Sequence, residues 1–183
     1  EVPYIAMEYL IGDDMRTMLY HRERLPEREA AYLVSQIVKA LVNAHENGIV
    51  HRDLKPANIH VRQMSGGDVH CKVLDFGIAK AVSVKAPGVI KSLTASGTVL
   101  GSPAYMAPEQ IRRAHAPLGP YTDVYALGVM TYRLLSGVLP IRGATPIEVA
   151  MAHLTTAPPR LGALGVSGAT PELEDVLMAA LSK

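Results

Sequence analysis

The stretch from Asp123 to Ser136 leaves this chain few ways to fold. Val124, Ala126, Leu127, Val129, Met130, Leu134 and Leu135 put apolar side chains on nearly every side of a helix, and Gly137 follows as its stop. A helix apolar all round has to be surrounded by protein. The rest of the chain must supply that surround. Behind Pro26, at a first-turn position, Ala30, Leu33, Val34, Ile37, Val38 and Leu41 recur at helical spacing and form one apolar stripe, closed by Gly48. Glu27 and Glu29 sit favourably at the positive end of that helix. Thr145-Pro146-Ile147-Glu148 has the capping-box pattern, and Thr170-Pro171-Glu172 opens a helix in the same style. Strand signals are short: Val2 to Tyr9, leading into the connector Leu10-Ile11-Gly12, then Ile49-Val50, Ile59–Val61 and Val69–Leu74, with a turn at Ser65-Gly66-Gly67-Asp68. The expectation is a single α+β domain, mainly helical from the middle to the end.

Composition removes several function classes. With Lys+Arg at 18 and Asp+Glu at 17, the formal net charge of +1 offers no bulk attraction to nucleic acid or to a membrane surface. Apolar residues at 49% exclude disorder. The best apolar run, Ala126 to Tyr132, is stopped by Arg133, so no span is expected. The single cysteine, Cys71, has no internal partner, which fits a reducing compartment.

The chemistry is concentrated in three places. His51-Arg52-Asp53-Leu54-Lys55-Pro56-Ala57-Asn58 packs a carboxylate, a lysine and an amide into one turn between apolar pieces. Phosphoryl transfer asks for this set: a carboxylate to take the proton of an attacking hydroxyl, a cation beside the moving group, and an amide oxygen for a magnesium shell. Five fixed residue types at set spacing arise by chance about once in several million positions, so an ordinary polar surface loop is a poor account. Asp75-Phe76-Gly77 follows a strand, a short hairpin away from Asn58, which offers Asp75 and Asn58 as two oxygen ligands to one Mg²⁺. Gly101-Ser102-Pro103-Ala104-Tyr105-Met106-Ala107-Pro108-Glu109 is a turn-rich loop before a helix and gains meaning from its place downstream of the other two. The irregular stretch from Phe76 to Pro108 is longer than a compact domain normally tolerates without a functional reason.

On these motifs the chain resembles the protein kinase family, most of all the bacterial eukaryotic-type (Hanks-type) serine/threonine kinases. The resemblance runs over essentially all 183 residues. It implies a kinase fold with residues 1–10 as the end of the small lobe and the hinge. Residues 11–183 would form the large lobe, truncated before its last helix, with nearly all of the small lobe outside the chain. It implies transfer of phosphate from ATP, with Mg²⁺ or Mn²⁺, to Ser/Thr residues of protein substrates, in the cytoplasm, with any membrane anchor elsewhere in the parent protein. Residue by residue, Asp53 would be the catalytic base and Lys55 would contact the γ-phosphate. Asn58 and Asp75 would hold the metal. His51, Phe76 and Gly77 would be structural, as would Asp123, bonded to the catalytic-loop backbone, and Glu109. Glu8 to Leu10 would hydrogen-bond adenine, with Met7 as gatekeeper and Asp14 near the ribose. Ser102 would bridge Asp53 and Lys55. Lys55 and Ser102 both point to Ser/Thr rather than Tyr acceptors.

The sequence departs from the family pattern at three positions. His60 stands where an apolar residue is usual beneath adenine, Ile141 where Phe is usual, and Arg133 where an acidic residue is common. The glycine-rich loop, the phosphate-binding lysine and its glutamate would lie upstream of residue 1, and the arginine partner of Glu109 beyond Lys183. The isolated segment is therefore expected to be inactive. Regulation is expected at Arg52, which precedes the base, through a phosphate on the acid-free stretch 77–107, at Thr94, Ser96 or Thr98. Two alternatives remain beside this reading. A small-molecule kinase would lack the segment from Asp75 to Glu109. A pseudokinase or scaffold would not need Asp53, Asn58 and Asp75 together.

Overall fold

The computed structural model describes residues 4, 7–64, 68–76, 102–112, 117–166 and 169–183. Gly77, Thr94, Ser96 and Thr98, the turn at 65–67, and the first three residues lie outside them. Among the described residues the chain forms six α-helices, three short 3-10 turns and one three-stranded sheet.

The expected buried helix is the centre of the molecule. It is α4, Pro120–Ser136, with Pro120 in its first turn and Gly137 ending it at φ 78°, the left-handed conformation that costs glycine least. Gly119 N–H donates to Thr122 Oγ1 at 3.3 Å, so the entry of the helix is closed by its own side chain. Twelve of its residues are buried, and Val124 alone of its expected apolar set is well exposed. Helix α2, Glu27–Glu46, packs on α4 through Ala30, Leu33, Ile37 and Leu41. Pro26 caps α2 rather than standing in its first turn. Val38 is exposed, because it falls outside the arc that faces α4.

Two stretches expected as strands are not strands. Residues 7–9, the described end of the stretch expected over Val2 to Tyr9, and residues 49–50 carry no ladder, because no described strand lies beside them to complete one. Helix α1, Met15–Arg22, was not visible in the apolar pattern; Asp14 starts it by accepting the Thr17 N–H at 2.7 Å. The sheet runs β1 (Asp13–Asp14), β2 (Ile59–Gln63), β3 (Val69–Val73), all antiparallel. Register pairs His60 with Lys72 and Val61 with Cys71, so Ile59 and Val61 face the core while His60 and Arg62 take the other face. The outer edge of β3 is closed by a side chain of α2. Gln36 Nε2 donates to the Val69 carbonyl and Gln36 Oε1 accepts the Cys71 N–H, both at 2.9 Å.

Helices α3 (Pro108–Ile111), α5 (Pro146–Thr155) and α6 (Pro171–Ala180) complete the fold. Thr145 Oγ1 accepts the Glu148 N–H at 3.2 Å, and Glu148 reaches back to the Ala144 N–H at 2.9 Å, one residue before the position an ideal capping box would use. Ile141 is buried as a core residue. No described helix is long and apolar enough to cross a membrane.

Candidate active site

The loop 51–58 is held from below by one carboxylate. Asp123, fully buried in the first turn of α4, accepts the His51 N–H on Oδ2 and the Arg52 N–H on Oδ1, each at 2.8 Å. His45, at the end of α2, bonds the same Oδ2 through Nε2 at 2.8 Å. These bonds keep Arg52 at φ 64°, a conformation that costs a non-glycine residue energy and persists where neighbours enforce it. Asp75 has φ 52° and is the second such point in the site.

The two turns are tied through Leu74. Its N–H donates to the Asn58 carbonyl at 2.8 Å, and its carbonyl accepts from His51 Nε2 at 2.8 Å. His51 Nδ1 accepts the Asp53 N–H at 3.2 Å, so the ring carries its proton on Nε2. That ring lies 5.0 Å from the Phe76 ring, centroid to centroid. Histidine and phenylalanine thus join the loop 51–58 to the strand end that presents Asp75.

On this frame Lys55 Nζ donates to Asp53 Oδ2 at 2.8 Å, with both side chains about a quarter exposed. Asn58 Nδ2 donates to the Asp53 carbonyl at 2.9 Å, which leaves Oδ1 as the amide's acceptor. An amide oxygen at Asn58 and a carboxylate at the exposed turn of Asp75 are a donor set that suits a hard divalent cation such as Mg²⁺. Ser102, Tyr105, Met106 and Gln110 line a small cavity with Arg52, Asp53 and Lys55.

The residues expected to form the hinge fall elsewhere. Glu8 and Leu10 line a cavity with His60, Arg62, His70 and Lys72, on the outer face of the sheet. Glu8 pairs with Lys72, whose ammonium holds the Glu8 carboxyl below the usual carboxylate range. His60 is buried there, and its Nε2 has no hydrogen-bond partner among the described residues. Met7 is largely exposed and forms no wall of this cavity. Asp14 caps α1 and pairs with Arg16 at 3.1 Å.

Several contributors were not legible in the motifs. Gln110 Nε2 donates to the Arg52 carbonyl at 2.7 Å, fastening α3 to the catalytic loop. Arg133, which the sequence left without a role, donates from Nη1 to the Tyr105 hydroxyl at 2.7 Å. Glu109 is buried and accepts from Thr122 Oγ1 at 2.7 Å. His45 had a faint signal: it continues the stripe of α2 four residues after Leu41, where a polar side chain implies a buried partner.

Comparison with known proteins agrees with this geometry. Residues 1–163 match the protein kinase domain. The chain is 40% identical over 184 aligned residues to the serine/threonine-protein kinase pkn3 of Myxococcus xanthus, covering 98% of this chain and 32% of that protein. It is 34% identical to the serine/threonine-protein kinase PknL of Mycobacterium tuberculosis, over 99% of this chain and 42% of that protein. It is 38% identical to PrkC of Bacillus subtilis, over 87% of this chain and 23% of that protein. The chain spans less than half the length of these relatives. The match along residues 1–163 and the relatives over nearly the whole chain say one thing together: the chain belongs to the protein kinase family and is similar to the Hanks-type serine/threonine kinases of bacteria.

Proposed function

We propose that this chain is the large lobe and hinge of a kinase that moves the γ-phosphoryl group of ATP onto Ser/Thr hydroxyls of proteins. The observation that carries the reading is the Asp53–Lys55 pair at 2.8 Å, on a loop that Asp123 holds and that Leu74 ties to Asp75. Residues 1–10 supply the end of the small lobe and the hinge, and 11–183 the large lobe. The acceptor oxygen forms a bond to the γ-phosphorus, the bond to the ADP oxygen breaks, and the hydroxyl proton passes to Asp53. Lys55 steadies the charge of the group in flight. Asn58 and Asp75 hold Mg²⁺, or Mn²⁺, which when bound neutralises the phosphates. Ser102 sits beside the acceptor; Glu8 to Leu10 meet adenine by backbone groups, with Met7 as gatekeeper, His60 below the ring and Asp14 towards the ribose. The segment alone, without a cover for the phosphates, transfers none.

Control belongs to Arg52. Its Nε is buried with no hydrogen-bond partner among the described residues, a state that a phosphate dianion would relieve. Thr94, Ser96 and Thr98 are the sites offered for that phosphate.

The deciding experiment is Asp53→Asn in the whole protein. Transfer to a Ser/Thr peptide should fall on the order of 10²-fold or more while ATP still binds. Near-normal turnover would refute the assignment, and ATP binding without transfer by the wild type would favour a pseudokinase. Ala at Thr94, Ser96 and Thr98 together should lower activity; full activity would remove the loop from the regulation.

A further inference from the structure

One buried polar side chain packed against the segment 102–107 has no role in the chemistry above. His153, on α5, is completely buried where α5 packs against the 3-10 turn Pro103–Tyr105. The Tyr125 hydroxyl of α4 meets its Nδ1 at 2.8 Å, with the two rings edge to face at 5.7 Å. Burial, reinforced by the Glu109 carboxylate, pushes the Tyr125 hydroxyl well up, so it keeps its proton and donates it to Nδ1. The imidazole then carries its own proton on Nε2. That nitrogen lies towards the backbone of Ala104, inside the turn, in a polar contact that favours the protonated ring but is not closed to full hydrogen-bond geometry among the described residues. A buried donor in so loose a contact is uncommon and asks for a reason.

The upper side of the same turn is functional ground. Ser102 and Tyr105 line one cavity with Asp53 and Lys55. Arg133 supports the turn from α4 through the Tyr105 hydroxyl at 2.7 Å, and Glu109 is tied to Thr122 in the next turn of chain. Arg133 thus meets this turn at Tyr105, and His153 meets it at Ala104.

We infer that His153 is a positioning residue for protein substrates: Tyr125 orients its imidazole, and the Nε2–H props the backbone at Ala104 that presents the acceptor to Asp53. This rests on the kinase reading of the preceding section. A side chain that only filled space could be replaced by an apolar one without selective effect. A positioning donor acts on the peptide and leaves the nucleotide alone.

The test uses the whole protein, with steady-state kinetics for a Ser/Thr peptide and for ATP in the wild type and in His153→Leu, His153→Gln and Tyr125→Phe. His153→Leu should raise the peptide KM roughly three- to tenfold, the scale of one polar contact tightened in the substrate complex and lost in the variant, with the ATP KM unchanged. His153→Gln should recover most of the loss, because its amide both accepts from Tyr125 and donates to Ala104. If His153→Leu fails to fold, Tyr125→Phe removes a single hydroxyl and should still raise the peptide KM. An unchanged peptide KM in the variants that fold, or a parallel rise in the ATP KM, overturns the inference. Failure of the wild type to phosphorylate any Ser/Thr peptide would instead refute the kinase reading itself.

Discussion

Asp123→Asn changes one oxygen to one amide nitrogen and leaves the volume of the site untouched. The carboxylate it replaces uses both oxygens: Oδ2 for His51 N–H and His45, Oδ1 for Arg52 N–H. Asparagine has a single acceptor oxygen. If that oxygen faces His51, the new NH₂ opposes the Arg52 N–H; if the amide is flipped, it opposes the His51 N–H. One buried backbone donor loses its acceptor either way, at about 1–3 kcal/mol. The surviving bond also drops from charge-assisted to neutral, a loss of about 1 kcal/mol. Together these predict about 3 kcal/mol, or ~6–12 °C in melting temperature for a domain of this size. Activity should fall as well, since Arg52 at φ 64° is no longer held and Asp53 follows it in the chain. Asp53→Asn makes the same chemical change two elements away in role. Its pair with Lys55 is partly exposed, so that variant should lose activity with less than about 1 kcal/mol of stability. Urea unfolding of both purified variants, beside peptide kinetics, separates the two. An Asp123→Asn protein within ~1 kcal/mol of wild type would refute the claim that this carboxylate holds the loop.

Other outcomes follow from single contacts. Burial, then the Lys183 charge, lowers His153 from 6.5 to about 4, so the unfolded chain takes up that proton first. The contribution of this residue to stability is complete above pH 6.5 and is lost as pH falls towards 4, by ~3 kcal/mol at most; urea midpoints for wild type and His153→Leu should converge over that window. Gln36→Ala exposes the edge of β3 and should cost about 1–2 kcal/mol, with faster hydrogen exchange at the Cys71 amide; unchanged exchange would show that the edge is closed by other means. His60→Leu removes a buried nitrogen that has no partner among the described residues, and ATP titration should give equal or tighter binding; a large loss of affinity would mean that the histidine meets the nucleotide directly.

Much of this protein was legible before any coordinates. The all-round apolar pattern of 123–136 required a central helix, because such a helix has nowhere else to go, and Gly137 marked its end. The capping signals at Thr145 and Thr170 are local chemistry and both start helices. The catalytic motif was readable because its function depends on residue types at short spacing. Short apolar pairs such as Ile49-Val50 misled, since a strand exists only where a partner strand supplies the other half of each bond. Helix α1 is hard to see in the pattern because its apolar face is short, Met15, Met18 and Leu19, and its start rests on one Asp14 side chain. What only tertiary structure could decide is how distant segments meet. His45 and Asp123 are 78 positions apart, Arg52 and Gln110 are 58 apart, and Tyr125 and His153 are 28 apart. No periodicity records such meetings, because the energy that pairs them is the cost of burying a polar group, and that cost arises only after the apolar faces have closed.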